Sequence, residues 1–308
     1  FMGKGYSQTN PEDEFMFQDE FELAGTRSAE IQYFHMTSRL VNFSLQGIPT
    51  GFDEFELYLK CEPERNSGKN AGTYTCLSFT WNQDDTLKVS IPALQNWVYS
   101  FTGEGYDSAG QVFGIDHQRF ETISDGLGRT VPPGISYHLY NAFIDFHSFC
   151  DVFAEDTGEG KGIQDLKRMG QEILHAASFT EPPVNLGSHI ADGSYFRNGK
   201  ITLAFNGIGM VNGKRCAIIR FDAPGSSYKT IMEPMPNMVI QSEGGSHYLG
   251  DIYKDLESKW VQKVTMHEFV ISETTLPMPP HKINSVIERF ILVRNVMQSE
   301  LPAHLKDH

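Results

Sequence analysis

Glu54-Phe55-Glu56-Leu57-Tyr58-Leu59-Lys60-Cys61 decides the fold class, because its apolar residues recur at every second position. Side chains alternate across an extended chain, so Phe55, Leu57, Leu59 and Cys61 share one face of a half-buried strand. Beyond a polar loop over 62–72, Thr75, Leu77, Phe79 and Trp81 alternate again and complete a hairpin. Leu87-Val89-Ile91 and Trp97-Tyr99-Phe101 repeat the period, with Asp84-Asp85 as a hairpin turn. Upstream, 40–48 reads as a strand stopped by Pro49 and Gly51.

The first hairpin poses a question of register. Equal spacing from a turn centred between Gly68 and Lys69 sets Cys61 opposite Cys76. Cys76, however, alternates out of phase with Leu77, Phe79 and Trp81, whereas Cys61 is in phase with Phe55, Leu57 and Leu59. Burying both apolar sets requires Cys61 to pair with Thr75, which sends the two thiols to opposite faces and excludes a disulfide. A β-bulge would reset the phase.

The period changes in the middle of the chain. Leu139, Phe143, Phe146, Cys150 and Phe153 follow three-and-four spacing after Pro132-Pro133-Gly134, predicting a helix over 136–154. Ile163, Leu166, Met169, Ile173, Leu174 and Ala177 predict a second helix over 163–179, ended by Pro182-Pro183. Alternation then resumes. It runs through Ile201-Leu203-Phe205, a turn at Val211-Asn212-Gly213-Lys214, and strands over 215–222, 248–256, 260–273 and 286–296. The stretch 232–243 carries Pro234 and Pro236 and reads as an edge or irregular strand.

The expected fold is therefore mainly β (α+β), with curved antiparallel sheet in two strand-rich halves and two central helices. Its segments are a polar tether (1–14), an N-terminal β-rich half (15–131), a central helical segment (132–183), a C-terminal β-rich half (184–297) and a tail (298–308). The opening Phe1-Met2-Gly3 followed by a polar stretch suggests a processed start, and with it an exported, periplasmic or cell-envelope protein.

Charge narrows the partners. The 39 acidic against 25 basic residues give a net charge of −14, a field that repels nucleic acid and anionic membrane surfaces. No apolar run approaches the length of a transmembrane helix. The four cysteines lie at no zinc spacing.

Gly250-Asp251-Ile252-Tyr253-Lys254-Asp255-Leu256-Glu257-Ser258-Lys259-Trp260-Val261 is a strand, an Asp-Leu-x-Ser turn and a second strand. Over about 215–273 this pattern resembles the closing hairpins of exported proteins with the lipoprotein-carrier (LolA-like) half-barrel architecture. The resemblance implies a curved antiparallel sheet that wraps helices and shelters an apolar ligand; it carries no functional residues over.

Three functional readings follow. Phe143, Phe146, Phe149 and Phe153 make one helix unusually bulky, so that it either packs under a sheet or lines an apolar pocket. The first reading is a non-enzymatic protein that binds an apolar or lipid-like small molecule on these rings, without a cofactor. The second is a metal-dependent hydrolase drawing on His147, Asp151, His175, His189 and His247. His147 and Asp151 lie one helical turn apart, which permits a shared metal or an acid–base pair. With no second ligand pair at metal spacing, they read instead as a solvent-exposed surface pair. His175 reads as solvated beside its helix, and His189 and His247 as loop residues after Gly-Ser. The third reading is a surface module that presents strand edges and aromatics to another protein.

Overall fold

The computed structural model describes residues 20–64, 71–101, 111–158, 160–182, 190–235 and 238–306; the tether 1–14 and His189 lie outside them. Twelve strands form one antiparallel sheet in the order β4-β3-β2-β1-β12-β11-β10-β9-β8-β6, with β5 on β3 and β7 on β9. The strands are β1 (Gln32–Phe43), β2 (Pro49–Pro63), β3 (Gly72–Gln83), β4 (Leu87–Ser90), β5 (Trp97–Phe101), β6 (Glu172–Leu174), β7 (Tyr195–Arg197), β8 (Thr202–Val211), β9 (Lys214–Met235), β10 (Met238–Asp255), β11 (Val261–Thr275) and β12 (Lys282–Val296). Two meanders, one from each half of the chain, meet where β1 pairs with β12 along its whole length. The two strand-rich halves thus share one sheet, and the apolar core runs continuously through both.

Local chemistry explains the tight connections. Asn212 and Gly213 both take positive φ between β8 and β9, as a two-residue hairpin turn requires. Asp84 and Asp85 do the same after β3. The Asp255 carboxylate accepts from the Glu257 and Ser258 amides and the Ser258 hydroxyl, so the Asp-Leu-x-Ser turn joins β10 to β11. Residues 232–235 and 238–243 belong to strands β9 and β10 inside the sheet, not to an edge, and the pairing there is irregular, with a register shift between Met238 and Ile240.

Directly paired residues share a face, so the register sorts the sheet into rows. On the concave side one row runs Phe221, Gly250, Met266, Ile291, Ser38, Phe55 and Trp81. A short helix, α1 (Gln118–Glu121), and the principal helix, α2 (Pro133–His147), pack here; a π-helical turn at Ser148–Val152 prolongs α2. This matches the helix expected over 136–154. Its contacts cross the sheet, from Phe79 and Trp97 against Phe143 to Phe221 and Tyr248 against Phe153.

The second expected helix, over 163–179, does not form. Ile163–Asp165 makes one 3-10 turn, Gly170 takes a positive φ of 83°, and Glu172–Leu174 joins the sheet as β6. Ile163 and Leu166 are fully buried, but Met169 is 48 % and Leu174 39 % exposed. The apparent helical stripe is therefore not one face, and the glycine interrupts it. No helix among the described residues is long and apolar enough to cross a membrane.

Candidate functional site

Two charged clusters flank α2, and they differ in access to solvent. The first is closed. Phe21, Leu23 and Ala24 are buried, and the strap over 20–31 crosses one side of the helix. From that strap Arg27 donates to Asp151 Oδ1 at 2.5 Å, to Glu155 Oε1 at 2.9 Å and to the Cys150 carbonyl at 2.8 Å. Its guanidinium also sits 4.5 Å from the Trp260 ring centre. Lys254 reaches Glu155 at 3.2 Å. Tyr99 donates to His147 Nε2 at 2.9 Å, and His147 Nδ1 donates to Asp151 Oδ2 at 2.6 Å. Burial holds His147 toward its neutral form, while for Asp151 burial is outweighed by Arg27 and His147, which keep it ionised. Side-chain exposure is 0 % for His147 and 1 % for Asp151, so the expected surface pair is an internal one. Two cations match two carboxylates with solvent excluded. The arrangement is a strut between strap, helix and sheet, and no reactant reaches it.

The second cluster lies at the edge of the cover that α2 gives the sheet. Glu268 on β11 pairs directly with Arg289 on β12 and accepts from it at 2.7 Å. Arg289 also donates to Asp145 of α2. Ser246 donates to the other Glu268 oxygen at 2.5 Å. Burial raises the Asp145 carboxyl to about 6, Arg289 opposing and Glu268 reinforcing the shift. His138, one side of the same helix, is held down at about 4 by burial and then by Arg289. Arg289 and Asp145 keep 16 % and 15 % side-chain exposure. They mark the border of the helix's footprint.

Past this border the long strands continue, and among the described residues no helix follows them. The next concave rows are Ser226, Ser246, Val270 and Ile287; then Tyr228, Gly244, Ser272 and Ser285; then Thr230, Ser242, Thr274 and Ile283. Most of these residues are partly exposed, although they lie on the face that forms the core a few residues earlier in each strand.

The rings proposed as a ligand wall are elsewhere. Phe143 and Phe146 are fully buried, and Phe149 and Phe153 nearly so. Phe143 packs against Trp97 at 5.3 Å between ring centres, Phe146 against Phe34 at 5.1 Å, and Phe149 stacks on Phe221 at 5.0 Å. Protein rings fill the space around all four, which makes them core. An open depression of about 660 Å³, lined by Pro92, Asp116, Arg119 and Asp125 among others, contains none of them.

The four candidate metal ligands within the described residues do not gather at one site. His147 and Asp151 belong to the strut. His175, expected to be solvated, is 2 % exposed and lies 5.0 Å from the Phe153 ring. His247 sits on the convex side, paired with Asp222 at 2.7 Å, and on strand β10, not a loop. Among the described residues no three His, Cys, Asp or Glu side chains are placed to hold one ion. The charged residues that matter at the two clusters do carry a sequence signal. Lys254, Glu268 and Arg289 each fall in phase with apolar neighbours (Ile252; Val264 and Met266; Ile291 and Val293), where alternation calls for another apolar side chain.

No protein-family model matches the chain, and no curated protein is similar to it.

Proposed function

We propose that the protein is a non-enzymatic binding protein that takes an elongated, partly apolar small molecule on the concave face of β9–β12 beyond α2. The observation that carries this reading is the continuation of the core face past α2: among the described residues Met232, Val270 and Ile287 stand there only half-buried. Apolar surface left open inside a concavity is a ligand site by the usual physical criterion, and covering it gains about 25 cal/mol per Å² before ordering costs. The nearby charges bind one another and Ser246 and activate no nucleophile, which favours holding a molecule over transforming it. This moves the apolar-ligand reading from the helix rings to the sheet.

The test is displacement of an apolar fluorophore from the full chain, with native mass spectrometry for a co-purified small molecule. Ile287→Glu is expected to abolish fluorophore binding, and Met210→Glu, at a fully solvated position (64 % exposed), to leave it unchanged. Equal binding by both variants would overturn the proposal.

A further inference from the structure

The convex face of the sheet exposes apolar side chains near its middle. Phe269 on β11 and Phe290 on β12 are each 42 % exposed, and Ile271 on β11 is 66 % exposed. His267 stacks on Phe290 at 4.2 Å between ring centres and lies at the same distance from Phe269, so the three rings form one continuous surface. Elsewhere this face hides its apolar side chains: Leu77 is fully buried there beneath Leu301 and Leu305 of the C-terminal tail. Apolar side chains grouped in the open mark an interaction site, whereas scattered ones do not.

The register says what fits. Directly paired residues lie side by side, about 4.8 Å apart from strand to strand, so the convex face reads as rows across β11. One row runs Asp222 (β9), Leu249 (β10), His267 (β11), Phe290 (β12) and Arg39 (β1). The next runs His247 (β10), Phe269 (β11) and Glu288 (β12). Each row complements itself about the line of β11. Asp222 and Arg39, of opposite charge, stand two strands to either side of it. Leu249 and Phe290, both apolar, stand one strand to either side, as do His247 and Glu288 in the next row. The charged ends are accessible: the Asp222 and Arg39 side chains keep 46 % and 45 % exposure, and Arg39 reaches the Glu54 carboxylate only at 3.9 Å.

Turning a second copy over about an axis along β11 sets Asp222 of each on Arg39 of the other, Leu249 on Phe290, His247 on Glu288, and Phe269 on itself. A twofold interface is isologous and requires this self-complementarity, every contact off the axis occurring twice. From this we infer that the convex face is a homodimer interface, in which two copies pack sheet to sheet around Phe269 with Asp222 of each paired to Arg39 of the other. The symmetry of the charges about β11 favours a second copy over an unrelated partner. A lipid surface would meet the carboxylates of Asp222 and Glu288. Both concave faces point outward in this dimer, so the inference is independent of the ligand reading above. The rows extend only about 20 Å across the sheet, which places the dimer at the small, weak end of protein interfaces.

Sedimentation equilibrium of the full chain over about 1–200 µM decides it, with a dissociation constant of about 10 µM expected. Phe269→Glu, which sets two carboxylates against each other at the axis, is expected to stay monomeric throughout. Asp222→Arg and Arg39→Asp are each expected to weaken the dimer about tenfold or more, because symmetry doubles each loss. The double variant, which exchanges the two charges, is expected to recover to within about threefold of the wild type. These positions are exposed, and circular dichroism is expected to show every variant folded. A wild type that is monomeric throughout would overturn the inference. So would a dimer that survives Phe269→Glu, or single losses that the double variant does not recover. Flotation with phosphatidylcholine vesicles is the parallel arm: a monomeric wild type that floats, where Phe269→Glu does not, would assign the face to a lipid surface instead.

Discussion

Cys61 pairs across the first hairpin with Tyr74, and Leu59, two residues earlier, pairs with Cys76. A bulge between Tyr58 and Leu59 makes this possible: Leu77 is the extra residue, and the phase of β3 changes there. Phe79 and Trp81 face the core on one side of the bulge, Tyr74 and Cys76 on the other. Leu77 turns to the convex face, where Tyr33, Leu301 and Leu305 bury it. The C-terminal tail is thus the lid over a side chain that strict alternation would have placed in the core. The pairing with Thr75 expected from alternation alone is off by one residue, and the two thiols, expected on opposite faces, share the core face; they are not directly opposed and remain unbridged.

All four cysteines are buried and free. Burial pushes the Cys61 and Cys216 thiols up to about 12 and raises the Cys76 and Cys150 thiols as well. A thiol reagent needs the thiolate and a path to it. The native protein is expected to show no fast-reacting thiol with Ellman's reagent, and four after denaturation. A Cys61–Cys76 linked peptide in non-reducing mapping would contradict this arrangement.

Strand identity was legible in β2, β10, β11 and β12 because each carries one buried face, and burial of one face imposes a two-residue period. β1 (Gln32–Phe43) was not, since the strand expected over 40–48 falls mostly on the turn before β2, which begins at Pro49. The helix over 136–154 was legible for the same reason at a different period. What alternation could not convey was partner choice. The stripe from Ile163 to Ala177 has helical spacing, but its residues serve a 3-10 turn, a strand and a loop in succession. His147 and Asp151 were read as solvated because nothing local reveals that a strap more than a hundred residues upstream delivers Arg27 to them. The concave rows past α2 were equally hidden: serines and glycines in long strands read as weak strand signal, and only the register aligns them.

Asp145 supplies a pH dependence with a definite sign. Its carboxyl shares Arg289 with Glu268, and burial raises it from 3.8 to about 6. A carboxyl raised in the folded state adds stability that is full below its unfolded value and is lost as pH rises through the folded one. A shift of about two units corresponds to about 3 kcal/mol. The stability of the wild type minus that of Asp145→Asn is therefore expected to fall by about 3 kcal/mol between about pH 4 and about pH 7. Urea unfolding at each pH measures it; a flat difference would mean that Arg289 keeps the carboxylate ionised throughout.

Gly250 sits where the sheet lets an aromatic ring onto its backbone. A Cβ at this position would fall 1.8 Å from the Thr265 carbonyl oxygen and 2.7 Å from Phe221 Cζ. Phe221 in turn stacks on Phe149, so it cannot withdraw without opening the core. Gly250→Ala is expected to destabilise by about 3 kcal/mol or more, at the upper end for overpacking. Gly47→Ala is the comparison, since a Cβ there meets nothing within 4 Å and only its positive φ of 76° resists. A loss at Gly250 no larger than at Gly47 would show that the strands separate freely at this row.

Arg27 and Asp151 test whether the closed cluster is a strut. The four charges Arg27, Lys254, Asp151 and Glu155 balance, and each is almost entirely out of solvent. Removing one partner of a buried pair strands the other, which typically destabilises by about 3–5 kcal/mol. Asp151→Ala is thus expected to unfold at markedly lower urea, where reading the residue as a surface group would predict almost no change. Arg27→Ala is expected to do the same, since it leaves two carboxylates facing only Lys254. The double variant restores the balance: Lys254 still reaches Glu155 at 3.2 Å, and no unmatched charge remains. Its loss is therefore expected to be smaller than the sum of the single losses by about 2 kcal/mol. Additive losses would mean that Arg27 and Asp151 act separately, with the strap held by Phe21 and Leu23 packing and not by its charge.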